Sequence, residues 1–484
     1  MNFIMQNTSK GRGFLLMFKK SVFIVLSLLL IWGCSEKPEP AAVRHYTLDI
    51  TATTETVLGR ELTGYLINGS SPGPVLEAEY GENLEITVNN QTDKALILHW
   101  HGVMVPNAQD GVADVTGPAI VANSTFTYRF PVKQTGTYWY HAHGLEEAQG
   151  IYGAIVLREQ GTEPDKAPIL MFGGKLGASP EAVLATLLPA GASASAHAGH
   201  GMTNAASDTG TPAQPAGHAM EAEHYTDIGF AGHLVNGSAD SPVLTTEEDF
   251  IKLRLINTYI DGFINLVYAG GDIEIVAADG LNVEPVKVPY LRMAMGETYD
   301  VILPVVKGKQ AELVSFFLGQ EGKYSSVLIG EGEPELLSSH SYSDYGTEQP
   351  YARLQTLMPD FLDIKESRPA DSQFELTLTG THELYNWAVE NNGEKIEQLN
   401  LKAGDKIRFT LENTTMMPHP MHLHGYFFRV VRDNGLLLKH TYNLDPHEKA
   451  VIEFTADKEG RWLFHCHNLF HMASGMMITL TVVR

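Results

Sequence analysis

Ten of the 20 histidines fall in four short motifs: His99-Trp100-His101, His141-Ala142-His143, the run His419-Pro420-Met421-His422-Leu423-His424, and His465-Cys466-His467 with His471. On a strand, residues i and i+2 share a face, so each His-x-His pair presents two imidazoles to one place. One such pair would say little. The spacing says more: 42 residues separate His99 from His141, and 43 separate His422 from His465. Two stretches of chain thus carry the same two pairs at the same internal positions. Eight imidazoles from two related units could converge across a pseudo-two-fold interface.

Cys466 breaks that symmetry, its counterpart in the first stretch being Ala142. Between His465 and His467, its thiolate must point to the opposite strand face, so a second metal site is expected there. His419 and His471 are free to join it, and Met476 lies five residues beyond His471. Two imidazoles, a thiolate and a weak axial thioether form the blue-copper set. Zinc competes poorly: structural zinc is four-coordinate, which eight neutral imidazoles in one place do not suit, and the soft sulfur ligands point to copper. The backbone from Cys466 to either neighbouring histidine would link the two sites over roughly 12 Å. An electron taken at one could be delivered to the other.

Ligands spaced in this way need strands to hold them, and the chain beyond residue 33 reads as all-β. Short alternating segments such as Leu84-Glu85-Ile86-Thr87-Val88 and Ile407-Arg408-Phe409-Thr410-Leu411 recur between turns rich in Gly, Pro and Asn. The segments also repeat. Leu66-Ile67-Asn68-Gly69 with Pro74-Val75-Leu76 echoes Leu234-Val235-Asn236-Gly237 with Pro242-Val243-Leu244, and strands ending in Asn90, Asn257 and Asn413 mark three copies. Three β-sandwich domains of about 100 residues each are expected. Their bounds read as 44–159, 225–335 and 371–484. A linker over 160–224 contains an Ala, Gly, Ser and Pro-rich insert, about 177–224, expected to be flexible; a second connector spans 336–370. The second domain has Ile264-Asn265-Leu266 where the others have a histidine pair, and is expected to bind no copper.

The chain has 484 residues, with 57 acidic against 34 Lys and Arg, a formal charge of −23. Such a surface repels phosphate backbones and excludes a nucleic-acid partner. At the N-terminus, Lys19-Lys20 precede an apolar run from Val22 to Ile31, too short to span a bilayer but suited to a signal peptide. The run ends in Gly33-Cys34, which resembles a bacterial lipobox. Residues 1–33 are therefore read as a lipoprotein signal peptide and Cys34 as the acylated first residue of an exported, membrane-anchored chain facing the periplasm or the cell exterior. Ser35 resembles an outer-membrane retention signal. Residues 1–33 hold four basic residues and no acidic one, so processing would leave the chain more acidic still. With Cys34 lipidated and Cys466 needed on a metal, no disulfide is expected.

HWHG, HAH, HPMHLHG and HCHNLFHMASGMM, in that order, resemble the four signature motifs of multicopper oxidases. The resemblance covers the chain beyond the signal peptide except for the insert and the second connector, and it implies three cupredoxin-like Greek-key β-sandwich domains. It implies four copper ions. His419, Cys466, His471 and axial Met476 match the type 1 ligands. His99 and His422 match type 2, and His101, His141, His143, His424, His465 and His467 match the type 3 pair. Family members couple four one-electron oxidations of a donor to reduction of O2 to two waters. Asp110, in Gln109-Asp110-Gly111-Val112, matches the family's acidic residue near the cluster and is assigned proton supply. Several laccase-like bacterial members carry Glu after the last type 1 histidine, where this chain has Met472; Glu146 or Glu147 could compensate.

MMPHPMHLHG, DGVADVTGP and GTYWYHAHG place the resemblance closest to the copper-resistance branch, which acts outside the cytoplasm and is linked to oxidation of Cu(I) to Cu(II). His197, His200, Met202, His218, Met220 and His224 lie in the insert, and imidazole with thioether suits copper. Met293, Met295, Met416 and Met417 could line a substrate path or simply fill the core. Three readings stand: a cuprous oxidase, a laccase-like oxidase of phenols or other organic donors, and a non-catalytic copper-sequestering protein.

Overall fold

The structure is a computed structural model that describes residues 41–189, 225–362 and 368–484. Cys34, residues 1–33 that read as a signal peptide, and the His/Met-bearing part of the insert, 190–224, lie outside the described residues. Among the described residues the chain is mostly strand, as the alternation predicts, and no helix is long and apolar enough to cross a membrane.

Among the described residues six sheets follow one another as three pairs. The first pair contains a sheet of Arg60–Ile67, Val43–Val57, Asn83–Asn90 and Ser124–Pro131, and a sheet of Leu76–Glu79, Tyr152–Arg158, Gly136–Ala142 and Leu98–His101, each in spatial order. The third pair repeats this plan. Val43–Val57 runs parallel to Asn83–Asn90, and Ser372–Thr379 runs parallel to Lys406–Asn413. Leu98–His101 pairs antiparallel with Gly136–Ala142, placing His99 opposite His141; His419–Leu423 pairs antiparallel with Gly460–Cys466, placing His422 opposite His465. In the same registers Ala142 faces Leu98 and Cys466 faces Met421, so Ala142 and Cys466 are structural equivalents.

The second pair corrects one boundary. The stretch 160–224 reads as linker in sequence, yet Ile169–Lys175 is a strand that runs parallel to Phe250–Asn257, the place Val43–Val57 holds in the first pair. The helix Pro180–Leu187 follows it, capped by the Ser179 side chain. The insert thus interrupts the second pair of sheets instead of preceding it. Its length hides the strand, because the repeat is sought next to its partner. Ile264–Tyr268 sets Ile264 against Phe317 where the outer pairs place histidines.

The recurrent asparagines have a shared physical reason. Asn90, Asn257 and Asn413 are buried at strand ends, and each side-chain oxygen accepts the backbone N–H two residues on. Each amide donates to a backbone carbonyl of another segment: Asn90 to Ile120, Asn257 to Met293 and Asn413 to Met417. One side chain closes the turn and ties it to a second segment of backbone. Asn68-Gly69 and Asn236-Gly237 repeat for another reason, since all four residues have positive φ.

Candidate metal centre

Strand pairing brings the two histidine pairs of each outer unit together, and packing of the first pair of sheets on the third brings all eight rings into one place. His99 stacks on His424 and His101 on His422, each with ring centroids 3.8 Å apart. His141 lies 5.4 Å from His467 and His143 5.3 Å from His465. Exchanging the outer units turns each of these contacts into its mate, which is the expected pseudo-two-fold relation. Seven of the eight histidines are buried, and His143 is half-buried.

The ring nitrogens divide cleanly. His99 Nδ1–H donates to the Asp110 carbonyl at 2.8 Å, His422 Nδ1–H to the His440 carbonyl at 2.8 Å, and His465 Nδ1–H to the Cys466 carbonyl at 2.8 Å. His141 Nδ1 faces the Ala142 carbonyl and Glu147 Oε2, both at 2.9 Å, and His101 Nε2 faces Thr441 Oγ1 at 3.2 Å. The opposite nitrogens, Nε2 of His99, His141 and His422 and Nδ1 of His101, are buried with no hydrogen-bond partner, as are His143 Nε2 and both nitrogens of His467. His424 Nε2 and His465 Nε2 face each other at 3.0 Å. Burial of so many unpaired acceptors is costly in an ordinary core and is explained by metal coordination. The donor atoms form compact sets: His99, His101 and His422; His101, His141 and His467; His143, His424 and His465. Burial, reinforced by neighbouring rings, pushes His99, His101, His143, His422, His424 and His467 well below the ordinary histidine range. They are neutral at physiological pH, the form that binds metal.

Asp110 sits at this cluster, fully buried. Its Oδ2 accepts from His424 Nδ1 at 2.9 Å, and burial pushes its carboxyl well up. Gly111 follows with φ of +83°, and a Cβ there would sit 1.8 Å from the Leu98 carbonyl, so only glycine lets the turn close on the His99 strand. Of the two acids that follow the second histidine pair, Glu147 places Oε2 2.9 Å from His141 Nδ1. Trp139 stacks on His141 at 4.3 Å.

The second site lies on the other face of Gly460–Cys466, as the alternation predicts. Cys466 Sγ is 3.7 Å from Nδ1 of both His419 and His471, whose Nδ1 atoms are 3.1 Å apart. Met476 is buried beside them: its N–H donates to the His471 carbonyl, and its carbonyl accepts from the Cys466 N–H. Burial pushes the Cys466 thiol far up, so a thiolate here would form only together with metal binding. Asn468 caps the helix Leu469–Ser474 that presents His471. Met293 and Met295 belong to the core, as does Met417, while Met416 is exposed.

Sequence reasoning missed Asp227. Its Oδ2 accepts from His471 Nε2 at 2.8 Å and from the Tyr385 hydroxyl at 2.7 Å, while Oδ1 lies 3.2 Å from His382 Nε2. Burial pushes this carboxyl up, but the His471 imidazole and the bonds from His382, His471 and Tyr385 outweigh that and hold it below the usual carboxylate range. Asp261 fixes the loop: its Oδ2 accepts from the N–H of Asp227 and Ile228, and its Oδ1 accepts from the Asn468 side chain. No short motif marks Asp227, which reaches the site from a different pair of sheets.

Three sequence profiles, each described as multicopper oxidase, match residues 49–162, 198–316 and 367–484. Copper resistance protein A of Escherichia coli is 27% identical, over 89% of this chain and 91% of that protein. Multicopper oxidase MmcO of Mycobacterium tuberculosis is 28% identical, over 93% and 89%. Among solved structures, Fet3p, a multicopper oxidase that functions in iron import, superposes with a TM-score of 0.74 over 91% of this chain and 90% of that one, at 16% identity.

Proposed function

The chain belongs to the multicopper oxidase family, and from that premise we propose that it oxidises Cu(I) outside the cytoplasm. Four Cu(I), one O2 and four protons would give four Cu(II) and two waters. Four bound coppers, one type 1, one type 2 and a type 3 pair, supply the electron transfer and the O2 reduction. We assign His419, Cys466, His471 and Met476 to type 1, His99 and His422 to type 2, and His101, His141, His467, His143, His424 and His465 to the type 3 pair. The buried, partnerless ring nitrogens support that assignment.

The chain's own groups have distinct tasks in this reading. Asp227 holds His471 Nε2 and so fixes the ring at the edge where a donor would give its electron. Cys466 carries the electron inward through the backbone to His465 and His467. Asp110 orients His424 through Nδ1 and is the carboxyl placed to hand protons to the O2-reducing site. The three domains hold these parts at about 44–159, 169–335 and 371–484.

The choice of Cu(I) rests on one observation: Asp227 lies three residues after His224, the last of the His and Met residues in the insert. The His- and Met-bearing stretch therefore ends, in sequence, just before a residue that hydrogen-bonds His471. Similarity to copper resistance protein A supports the same reading. The signal-peptide pattern and Gly33-Cys34 support export with a lipid anchor. Steady-state O2 uptake by the copper-loaded protein, with Cu(I) and with a phenol as donors, tests the proposal. Deleting 191–224 should lower Cu(I) turnover and leave phenol turnover unchanged. Fast phenol oxidation without added copper and indifference to the deletion would instead indicate a laccase-like enzyme.

A further inference from the structure

Among the described residues the second pair of sheets supplies no histidine to the clusters, yet one of its turns reaches them. The strands Ile273–Ala278 and Leu281–Val288 are joined by two residues, Asp279 and Gly280, with φ of +48° and +75°. Positive φ at both positions is the tight hairpin turn for which Asp-Gly is suited. The tip wedges between the outer units. On one side, a Cβ on Gly280 would lie 2.2 Å from the Tyr138 ring, and a Cβ on Gly136 would lie 2.1 Å from the Gly280 carbonyl, so both glycines are required by contact. On the other side is the segment Lys439-His440-Thr441 of the third unit.

Asp279 is fully buried there. Its Oδ2 accepts the backbone N–H of both His440 and Thr441 at 3.1 Å, and its Oδ1 lies 3.1 Å from Lys439 Nζ. That backbone is what orients two candidate ligands. The His440 carbonyl accepts from His422 Nδ1 at 2.8 Å. Thr441 Oγ1 is 3.1 Å from the same nitrogen and 3.2 Å from His101 Nε2. Each contact occupies one ring nitrogen and leaves the other free, so the pair fixes which atoms of His422 and His101 are available.

We propose that Asp279 is a positioning residue for the O2-reducing site: it holds residues 440–441 in place, and these set the metal-facing nitrogens of His422 and His101. The proposal rests on the assignment of those histidines to type 2 and type 3 copper. It gives the unit without copper ligands a specific task at the cluster. Outer partners of this kind change metal affinity by about 10–100-fold.

The test uses copper-loaded holoenzyme with Asp279→Asn and Thr441→Val. Asparagine keeps the size but loses one of the carboxylate's acceptors; valine removes the hydroxyl and leaves every Asp279 contact intact. The type 2 paramagnetic resonance signal is read against the blue type 1 band, alongside copper content and melting temperature. The expected result is an approximately 10-fold weaker type 2 signal under mild chelation in both variants, with the blue band kept. An unchanged type 2 signal in both overturns the proposal. So does parallel loss of both centres with a lowered melting temperature, which would make Asp279 a fold residue only. If Asp279→Asn does not fold, Thr441→Val decides alone. A wild-type holoenzyme with no type 2 signal would overturn the copper assignment itself, and this proposal with it.

Discussion

Cys466 lies on one face of its strand and His465 and His467 on the other, so in the proposed assignment a single residue joins the two centres. That much follows from alternation. What alternation leaves open is how His471 holds its ring, and Asp227 answers it with a 2.8 Å hydrogen bond to Nε2. Asp227→Ala removes that acceptor and leaves a buried imidazole N–H unpaired, with Tyr385 losing its partner too. Type 1 copper retention should fall about 10–100-fold, read as loss of blue absorbance under chelation, while the type 2 signal stays. Full retention of the blue band would remove Asp227 from the site. All twelve candidate copper ligands were legible in the sequence because chemistry fixes their types and strand geometry fixes their spacing. Asp227, Asp279 and Thr441 were not. Each reaches the site, or its supporting shell, by folding rather than by a motif, and an isolated Asp or Thr has no spacing to betray it.

At the scale of elements, the strand-closing asparagines link turn geometry to the metal site. Asn413 Oδ1 accepts from both the N–H and the hydroxyl of Thr415, and Thr415 Oγ1 is 2.7 Å from His419 Nε2. In the same turn of the first unit the Thr92 hydroxyl meets Asn90 Oδ1 and the Lys94 carbonyl instead. Asn90→Ala and Asn413→Ala should therefore cost similar stability, about 1–3 kcal/mol for the buried carbonyls left unpaired. Only Asn413→Ala should weaken the blue band, because it alone frees the residue that steadies His419. Thermal melts and absorption spectra of the two variants check both halves; equal spectra would confine Asn413 to turn closure. The repeat itself was readable from the three asparagines, since each does the same local job. The strand Ile169–Lys175 was not, because the insert places 74 residues between its end and Phe250, the start of the strand it pairs with, while a repeat search relies on adjacency.

For the molecule as a whole, the cluster lies between the outer units and the second unit braces that junction with buried charge. Lys439 Nζ lies 2.6 Å from Glu297 Oε1 and 3.1 Å from Asp279 Oδ1, and all three residues are fully buried. Glu297 also accepts from the Tyr351 hydroxyl at 2.7 Å, tying in the connector between the second and third units. One cation thus serves two carboxylates contributed by another pair of sheets. Lys439→Met keeps the bulk but leaves both acids buried without a counter-charge, at a cost of about 3–5 kcal/mol near neutral pH. The pH dependence follows from the direction in which Glu297 already moves: burial pushes it above the usual carboxylate range even with Lys439 present. Without the lysine Glu297 should move further up. An acid with a raised folded pKa binds more protons folded than unfolded, so its penalty appears as pH rises above the unfolded value of about 4.3 for Glu and grows until the folded value is passed. The melting deficit of Lys439→Met relative to wild type should therefore be larger at pH 8 than at pH 5. A deficit independent of pH would mean that the lost contacts are packing alone, and that the three charges contribute nothing to holding the units around the copper site.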